Sequence, residues 1–307
     1  MTHAVEAPPA PAALRAPELP VPAVLPLAPA SVRRRLRSQE TAAARRRYRR
    51  ALVTLRRAGL PFLVGGAYAM ERYTGIARWT KDLDLFILPR DVPAVLAALA
   101  SAGFRTELTF PHWLAKAHAR RDFIDLIFGS GNGACEVDEG WMAHGVPGQI
   151  LGVPVLLCPR EETIWSKAFV AERERYDGAD IAHLIRACHA ELDWDRLVAR
   201  FGPHWRLLLS HLTLFEFVYP NEVAPAARRV TGMLARRLLV EEGIPPSGEP
   251  LCQGTLLSRA QYLPDITQWG YADGRVAPHG RMTLKDVEEW TRAIDDKEAK
   301  DAHRRRR

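Results

Sequence analysis

The stretch Thr80-Lys-Asp-Leu-Asp-Leu-Phe86, read together with Leu63-Val-Gly-Gly-Ala-Tyr-Ala-Met70, decides how the rest of this chain is read. Apolar residues at 83, 85 and 87 alternate with Asp82, Asp84 and Phe86, the period of a strand with one buried face. Residues i and i+2 of a strand share a face about 6.5–7 Å apart, so the two carboxylates point the same way, at a spacing that can share metal ions. A pair of divalent cations roughly 3.5–4 Å apart is the usual machinery of phosphoryl and nucleotidyl transfer. Upstream, Phe62 to Val64 reads as the end of a short buried strand. Gly65 and Gly66 then permit a tight turn into a helix, with no Cβ to keep a ligand from the backbone. The amides of such a turn, with the helix N-terminus, form a phosphate cradle.

Gly-Gly, a helix, then Asp-x-Asp on a strand resembles the DNA polymerase beta-like nucleotidyltransferase superfamily, and within it small bacterial enzymes and the abortive-infection type toxin nucleotidyltransferases. The resemblance implies a third carboxylate from a later strand, which Arg121-Asp-Phe-Ile-Asp-Leu-Ile-Phe128 supplies as Asp125, with Asp122 as the fallback. It continues through Glu162-Thr-Ile-Trp-Ser-Lys167 and Tyr176-Asp-Gly-Ala-Asp-Ile-Ala-His-Leu184, which are similar to the segment where a lysine touches the triphosphate and an acidic residue comes after it. Lys167 and Asp180 take those places. The gap between Gly66 and Asp82 is longer than the resemblance leads one to expect.

The same resemblance implies an α/β (α+β) fold with a small mixed-sheet core and a helical domain after it. The implied activity is metal-dependent transfer of NMP from an NTP to a hydroxyl acceptor with release of pyrophosphate. Asp82, Asp84 and Asp125 would be both catalytic and metal ligands, holding two Mg²⁺ ions, with Mn²⁺ an alternative occupant. Gly65, Gly66 and Lys167 would hold the phosphates. Arg78 and Thr80 flank the carboxylates closely enough to join them, and Asp180 either lies at the site or only caps its helix. The acceptor stays open among small molecules, tRNA and protein. The alternative is a catalytically silent nucleotide- or RNA-binding module of the same fold.

Charge is regional. Residues 31–58 hold eleven Arg and one Glu, while the whole chain is only +7, so the remainder is net acidic. The reading of 31–58 is an Arg-rich helix, since Gly and Pro are absent before Gly59. Leu36, Tyr48, Leu52 and Leu55 make a narrow apolar stripe that packs on the acidic body. An RNA contact by the arginines is the rival. Cys135, Cys158, Cys188 and Cys252 are scattered without metal-ligand spacing and read as reduced, buried thiols. His112, His118, His183 and His189 have no spacing that demands a metal. No apolar run reaches 18 residues and no secretory pattern opens the chain, so no membrane partner and a cytoplasmic setting are expected.

In order, residues 1–30 read as a disordered Pro/Ala-rich extension, 59–158 as the core, 159–241 as the helical domain, and 242–307 as an irregular region with a terminal helix and basic tail. Within the core, strands are expected at 62–64, 83–88, 104–110, 115–120 and 123–128, with helices at 67–73 and 91–102, the latter capped by Asp91. A hairpin at 150–157 turns at Gly152. Further helices are expected at 161–175, 179–189, 194–201, 204–218 and 225–241. A last one runs from 283 to about 296, started by a Thr283/Asp286 capping box.

Overall fold

The computed structural model of the chain describes residues 42–78, 80–120, 122–242 and 248–292. The expectations for 1–30, for 31–41 with Leu36, and for the arginines 304–307 lie outside the described residues.

Helix α1 (Ala42–Arg57) forms from a run of Ala, Arg and Leu, strong helix formers. Its buried positions Ala44, Tyr48, Ala51, Leu52 and Leu55 recur at helical spacing. Tyr48 donates its hydroxyl to the Lys81 carbonyl at 2.9 Å, and Arg47 Nε donates to Asp122 Oδ2 at 2.6 Å. The helix is thus a packed element of the body, while Arg46, Arg49, Arg56 and Arg57 face water.

Beyond it come β1 (Leu63–Val64), α2 (Gly66–Thr74), β2 (Asp82–Phe86), α3 (Val92–Ser101), β3 (Arg105–Phe110), β4 (Leu114–Ala119) and β5 (Asp122–Ile127). A short helix α4 (Glu139–Ala143), not expected from the sequence, precedes β6 (Val146–Ile150) and β7 (Val153–Leu157). The Asp138 side chain caps α4 by accepting from the Trp141 amide at 3.2 Å. The expected hairpin turns at Leu151 (φ 51°) and Gly152 (φ 75°), two left-handed residues that suit a two-residue connection. Asp91 does precede α3, but its side chain caps nothing, because a 3₁₀ turn, Pro89–Asp91, leads the chain into the helix.

The seven strands form one mixed sheet in the order β3-β4-β5-β2-β1-β7-β6. The β2–β5 and β1–β7 pairs are parallel, and the remaining neighbours are antiparallel. Strand alternation then makes two cores. Leu83, Leu85, Ile124, Leu126, Ala115 and Ala117 bury one sheet face under α1 and α3. The other face meets helices α5 (Arg160–Ala168), α6 (Gly178–Cys188), α7 (Trp194–Phe201), α8 (Trp205–Val218) and α9 (Pro225–Glu242), whose core includes Trp165, Ile181, Leu197, Phe201 and Trp205.

The helix expected over 161–175 ends at Ala168. From there the chain folds back, with Ala171 bridged to Tyr176, the Ala171 amide donating to the Leu257 carbonyl at 3.1 Å, and the Glu172 carboxylate accepting from Ser258 Oγ at 2.5 Å. These partners come from the segment near 257, so nothing local signals the break. That later segment, expected to be irregular, holds β8 (Leu251–Cys252), α10 (Leu263–Thr267) and β9 (Ala272–Asp273), and after them α11 (284–292). Thr283 and Asp286 form the reciprocal cap: the Thr283 amide donates to Asp286 Oδ2 at 2.9 Å and the Asp286 amide to Thr283 Oγ1 at 3.1 Å.

Candidate active site

The alternation in β2 buries Leu83 and Leu85 on the α1 side and turns Asp82, Asp84 and Phe86 toward the helices. β5 runs parallel to β2 with Asp125 directly opposite Asp84. Register therefore completes what alternation begins. Asp82, Asp84 and Asp125 each offer an oxygen within 4.8 Å of the other two. Asp122, an odd number of residues before Asp125 on the same strand, pairs with Arg47 of α1 instead. Among the described residues no other group of three His, Cys, Asp or Glu side chains converges this way.

The glycines enter from β1. The Gly65 amide donates to the Asp84 carbonyl at 3.0 Å, tying the turn to β2. Gly66 adopts φ +54°, and a Cβ there would stand 1.7 Å from Asp84 Oδ2. Only glycine leaves the carboxylate its place. α2 begins at Gly66, and no side chain caps it. Its first-turn amides and its dipole therefore open beside the carboxylates, an arrangement suited to anions. Thr80 Oγ1 donates to Asp82 Oδ1.

Three carboxylates this close repel one another. Asp84 meets some solvent, yet burial, and after it the charges of Asp82 and Asp125, pushes its carboxyl up to about 7, with Lys167 and Arg175 pulling the other way. Burial also raises Asp125, opposed by Lys116, whose Nζ lies 2.5 Å from Asp125 Oδ1. Three hard oxygen donors short of positive charge fit a divalent cation of the Mg²⁺ or Mn²⁺ type.

A basic rim comes from the helical side. Lys167 Nζ, on α5, lies 2.8 Å from both Asp177 Oδ2 and Asp180 Oδ2. Arg78 pairs with Asp180 Oδ1, and Arg175 donates to Asp177 at 3.1 and 3.0 Å. Burial works against the Asp177 anion, but Arg175 and Lys167 hold its carboxyl below the usual range. Asp180 sits within the first turn of α6 and makes these ion pairs rather than a cap.

The residues expected from sequence thus fall into two adjoining groups. Asp82, Asp84, Asp125, Gly65, Gly66 and Thr80 form the floor, and Lys167, Asp180 and Arg78 the rim. Sequence reasoning passed over three members. Lys116 is set against Asp125 by the antiparallel β4–β5 register, which Lys-x-His in a weak strand does not announce. Arg175 and Asp177 lie in the segment expected to be helix or break. Asp177, three residues before Asp180, was the one with a readable signal.

No protein-family model matches the chain, and no curated protein matches it. Among solved structures, the crystal structure of ANT(2")-Ia in complex with adenylyl-2"-tobramycin is similar over 64% of this chain and 99% of that chain, with 17% identity and a TM-score of 0.37. The lincomycin-bound lincosamide antibiotic adenylyltransferase LnuA is similar over 45% of this chain and 94% of its own, with 14% identity and a TM-score of 0.34. An antigenic nucleotidyltransferase-like protein from Paracoccidioides brasiliensis is similar over 59% and 91%, with 15% identity and a TM-score of 0.39. These likenesses are distant.

Proposed function

We propose that the chain is a metal-dependent nucleotidyltransferase that moves NMP from an NTP to an acceptor hydroxyl and releases pyrophosphate. The observation that carries this reading is the convergence of Asp82, Asp84 and Asp125 within 4.8 Å, beside an uncapped helix N-terminus. A charge-poor carboxylate triad and an anion-favouring backbone in one place suit a metal–triphosphate and little else. A bound divalent cation would supply neutralisation of phosphate charge and acidification of the acceptor hydroxyl.

The chain's own residues do the rest. Asp82, Asp84 and Asp125 would hold the cation, with Thr80 fixing the orientation of Asp82. The amides at the start of α2 take the triphosphate oxygens, and Gly66 leaves the Asp84 carboxylate its place beside them. Lys167 and Arg78 face the leaving phosphates, their charge shared in the resting protein with Asp177 and Asp180. Asp125 would also accept the proton of the acceptor hydroxyl. Positioning and electrostatics account for most of the rate in such reactions.

An RNA acceptor reaching the arginines of α1 is the weaker extension, because α1 covers the sheet face opposite the triad. Among the described residues no helix is long and apolar enough to cross a membrane, and a cytoplasmic NTP pool is the setting this proposal assumes. The test is incubation of the protein with each labelled NTP, Mg²⁺ and cell extract, tracking pyrophosphate release and the identity of the labelled product. No release with any of the four nucleotides, in extract or alone, sinks the enzyme reading.

A further inference from the structure

We infer that Lys116 is a built-in counter-cation of this site, which holds Asp125 until a divalent metal arrives and then moves to Glu107. The inference rests on the metal-site reading of the triad. Four strands in register carry a single row across one sheet face: Asp84 opposite Asp125, Asp125 opposite Lys116, and Lys116 opposite Glu107. Neighbouring strands lie about 4.8 Å apart, so the lysine has a carboxylate within side-chain reach on either hand.

The ammonium sits on the inner one. Lys116 Nζ lies 2.5 Å from Asp125 Oδ1 and 4.5 Å from the centre of the Phe123 ring, which covers it from the side. Glu107 meanwhile has looser partners, His118 Nε2 at 3.3 Å, Thr109 Oγ1 at 3.3 Å and the exposed Arg105 Nη1 at 3.4 Å. Asp125 lies within 4.8 Å of Asp82 and Asp84. A divalent cation among these oxygens therefore competes with the ammonium for Asp125 and repels it across a few ångströms. A lysine, a compact charge on a flexible four-carbon stem, can swing to Glu107 without moving the backbone.

Before the metal comes, Lys116 keeps the third carboxylate in place against repulsion from the other two, and so acts as a positioning residue. It also weakens idle metal binding, so that full ligation by Asp125 awaits a metal brought with the nucleotide.

Mn²⁺ binding to the nucleotide-free full chain, monitored by electron paramagnetic resonance of the free ion, tests this without turnover. Lys116→Met should bind Mn²⁺ about tenfold more tightly than the wild type, a charge having been removed from beside the ligands. Lys116→Arg should stay within about twofold, since the charge persists. Glu107→Gln, on the outer strand, should bind about threefold more weakly, because the displaced ammonium has lost its second carboxylate. That opposite sign separates a handover from a merely structural role, and the second variant stands alone if Lys116→Met does not fold. Unchanged or weaker binding in Lys116→Met, or unchanged binding in Glu107→Gln, overturns the handover while leaving the metal site intact. A wild type that takes up no Mn²⁺ overturns both.

Discussion

Two acidic clusters in this molecule have the same number of carboxylates and opposite electrostatics. In the helical part, Glu161, Glu162 and Asp138 are met by two guanidiniums. Arg196 Nη1 reaches Glu162 at 2.5 Å and its Nη2 reaches Glu161, while Arg200 takes Glu162 at 2.9 Å and Asp138 at 2.6 Å. The Asp193 amide adds a bond to Glu161 at 2.7 Å. Each of these carboxylates has a donor. At the triad, Asp125 has one ammonium and Asp82 one hydroxyl, and the Asp84 carboxylate accepts no hydrogen bond among the described residues. The first cluster is a tie between α4, α5 and α7. The second is a deficit of positive charge held in place by rigid strands, the feature on which the proposed cation site rests.

The largest effect that sharpens this contrast is on activity. Asp82→Ala and Asp84→Ala should each lower turnover by on the order of 10³-fold with the fold intact, since an electrostatic element of the reacting centre is lost. Pyrophosphate release, with circular dichroism as the control, measures it. Full activity in either variant ends the metal-ligand assignment.

The compensated cluster should answer in stability instead. Glu162 is 0% exposed, so Glu162→Ala takes from both Arg196 and Arg200 their shared buried carboxylate, leaving each only its second partner, and should destabilise by about 3 kcal/mol, read from urea midpoints. Per folded molecule, turnover should hold. A variant that is stable but inactive would erase the distinction between the two clusters.

A third outcome concerns pH in the presence of chelator. Asp84 titrates at about 7 in the folded chain against an ordinary 3.8, so between about pH 4 and 7 the folded state keeps a proton that the unfolded state has lost. Stability from this group is therefore present at low pH and declines as pH rises through that window. Asp84→Asn should flatten that decline in Tm, and saturating Mg²⁺ should offset it in the wild type. A decline of the same slope in Asp84→Asn would place its origin elsewhere.

The smallest effect belongs to charge that water already solvates. Changing Arg46, Arg49, Arg56 and Arg57 together to Ala should alter stability by no more than about 0.5 kcal/mol per site and leave NTP binding alone, because exposed charges cost little to leave unpaired. If RNA binding with a steep salt dependence disappears with those four charges, the α1 face is a polyanion surface after all.

Much of the site was readable in the chain because backbone geometry is local. A period of two placed Asp82 and Asp84 on one face and Leu83 and Leu85 on the other, whatever the partner strands were. Glycine at 65 and 66 announced a close approach, expected to be a ligand's, and the structure sets the Phe86 ring against Gly65 and the Asp84 carboxylate against Gly66. A helical period set the buried stripe of α1, and Thr283 with Asp286 wrote their own cap. The strand period, the helical stripe and the cap are each set within a few residues, and that geometry leaves few alternatives.

Tertiary structure decided whatever depends on which strand lies beside which. The parallel register that sets Asp125 against Asp84, and the antiparallel one that sets Lys116 against Asp125, were chosen by packing of the whole sheet over α1 and α3. The end of α5 at Ala168, which frees Asp177 to reach Lys167 and Arg175 to pair with Asp177, depends on hydrogen bonds to residues about 90 positions later. Glu161 and Glu162 stand in the first turn of α5, and they are buried because Arg196 and Arg200 arrive from another helix. A sequence carries the period of each element within itself, but the partner of a charge is fixed only when distant elements pack, since the stability of a buried ion depends on what surrounds it and not on its neighbours in the chain.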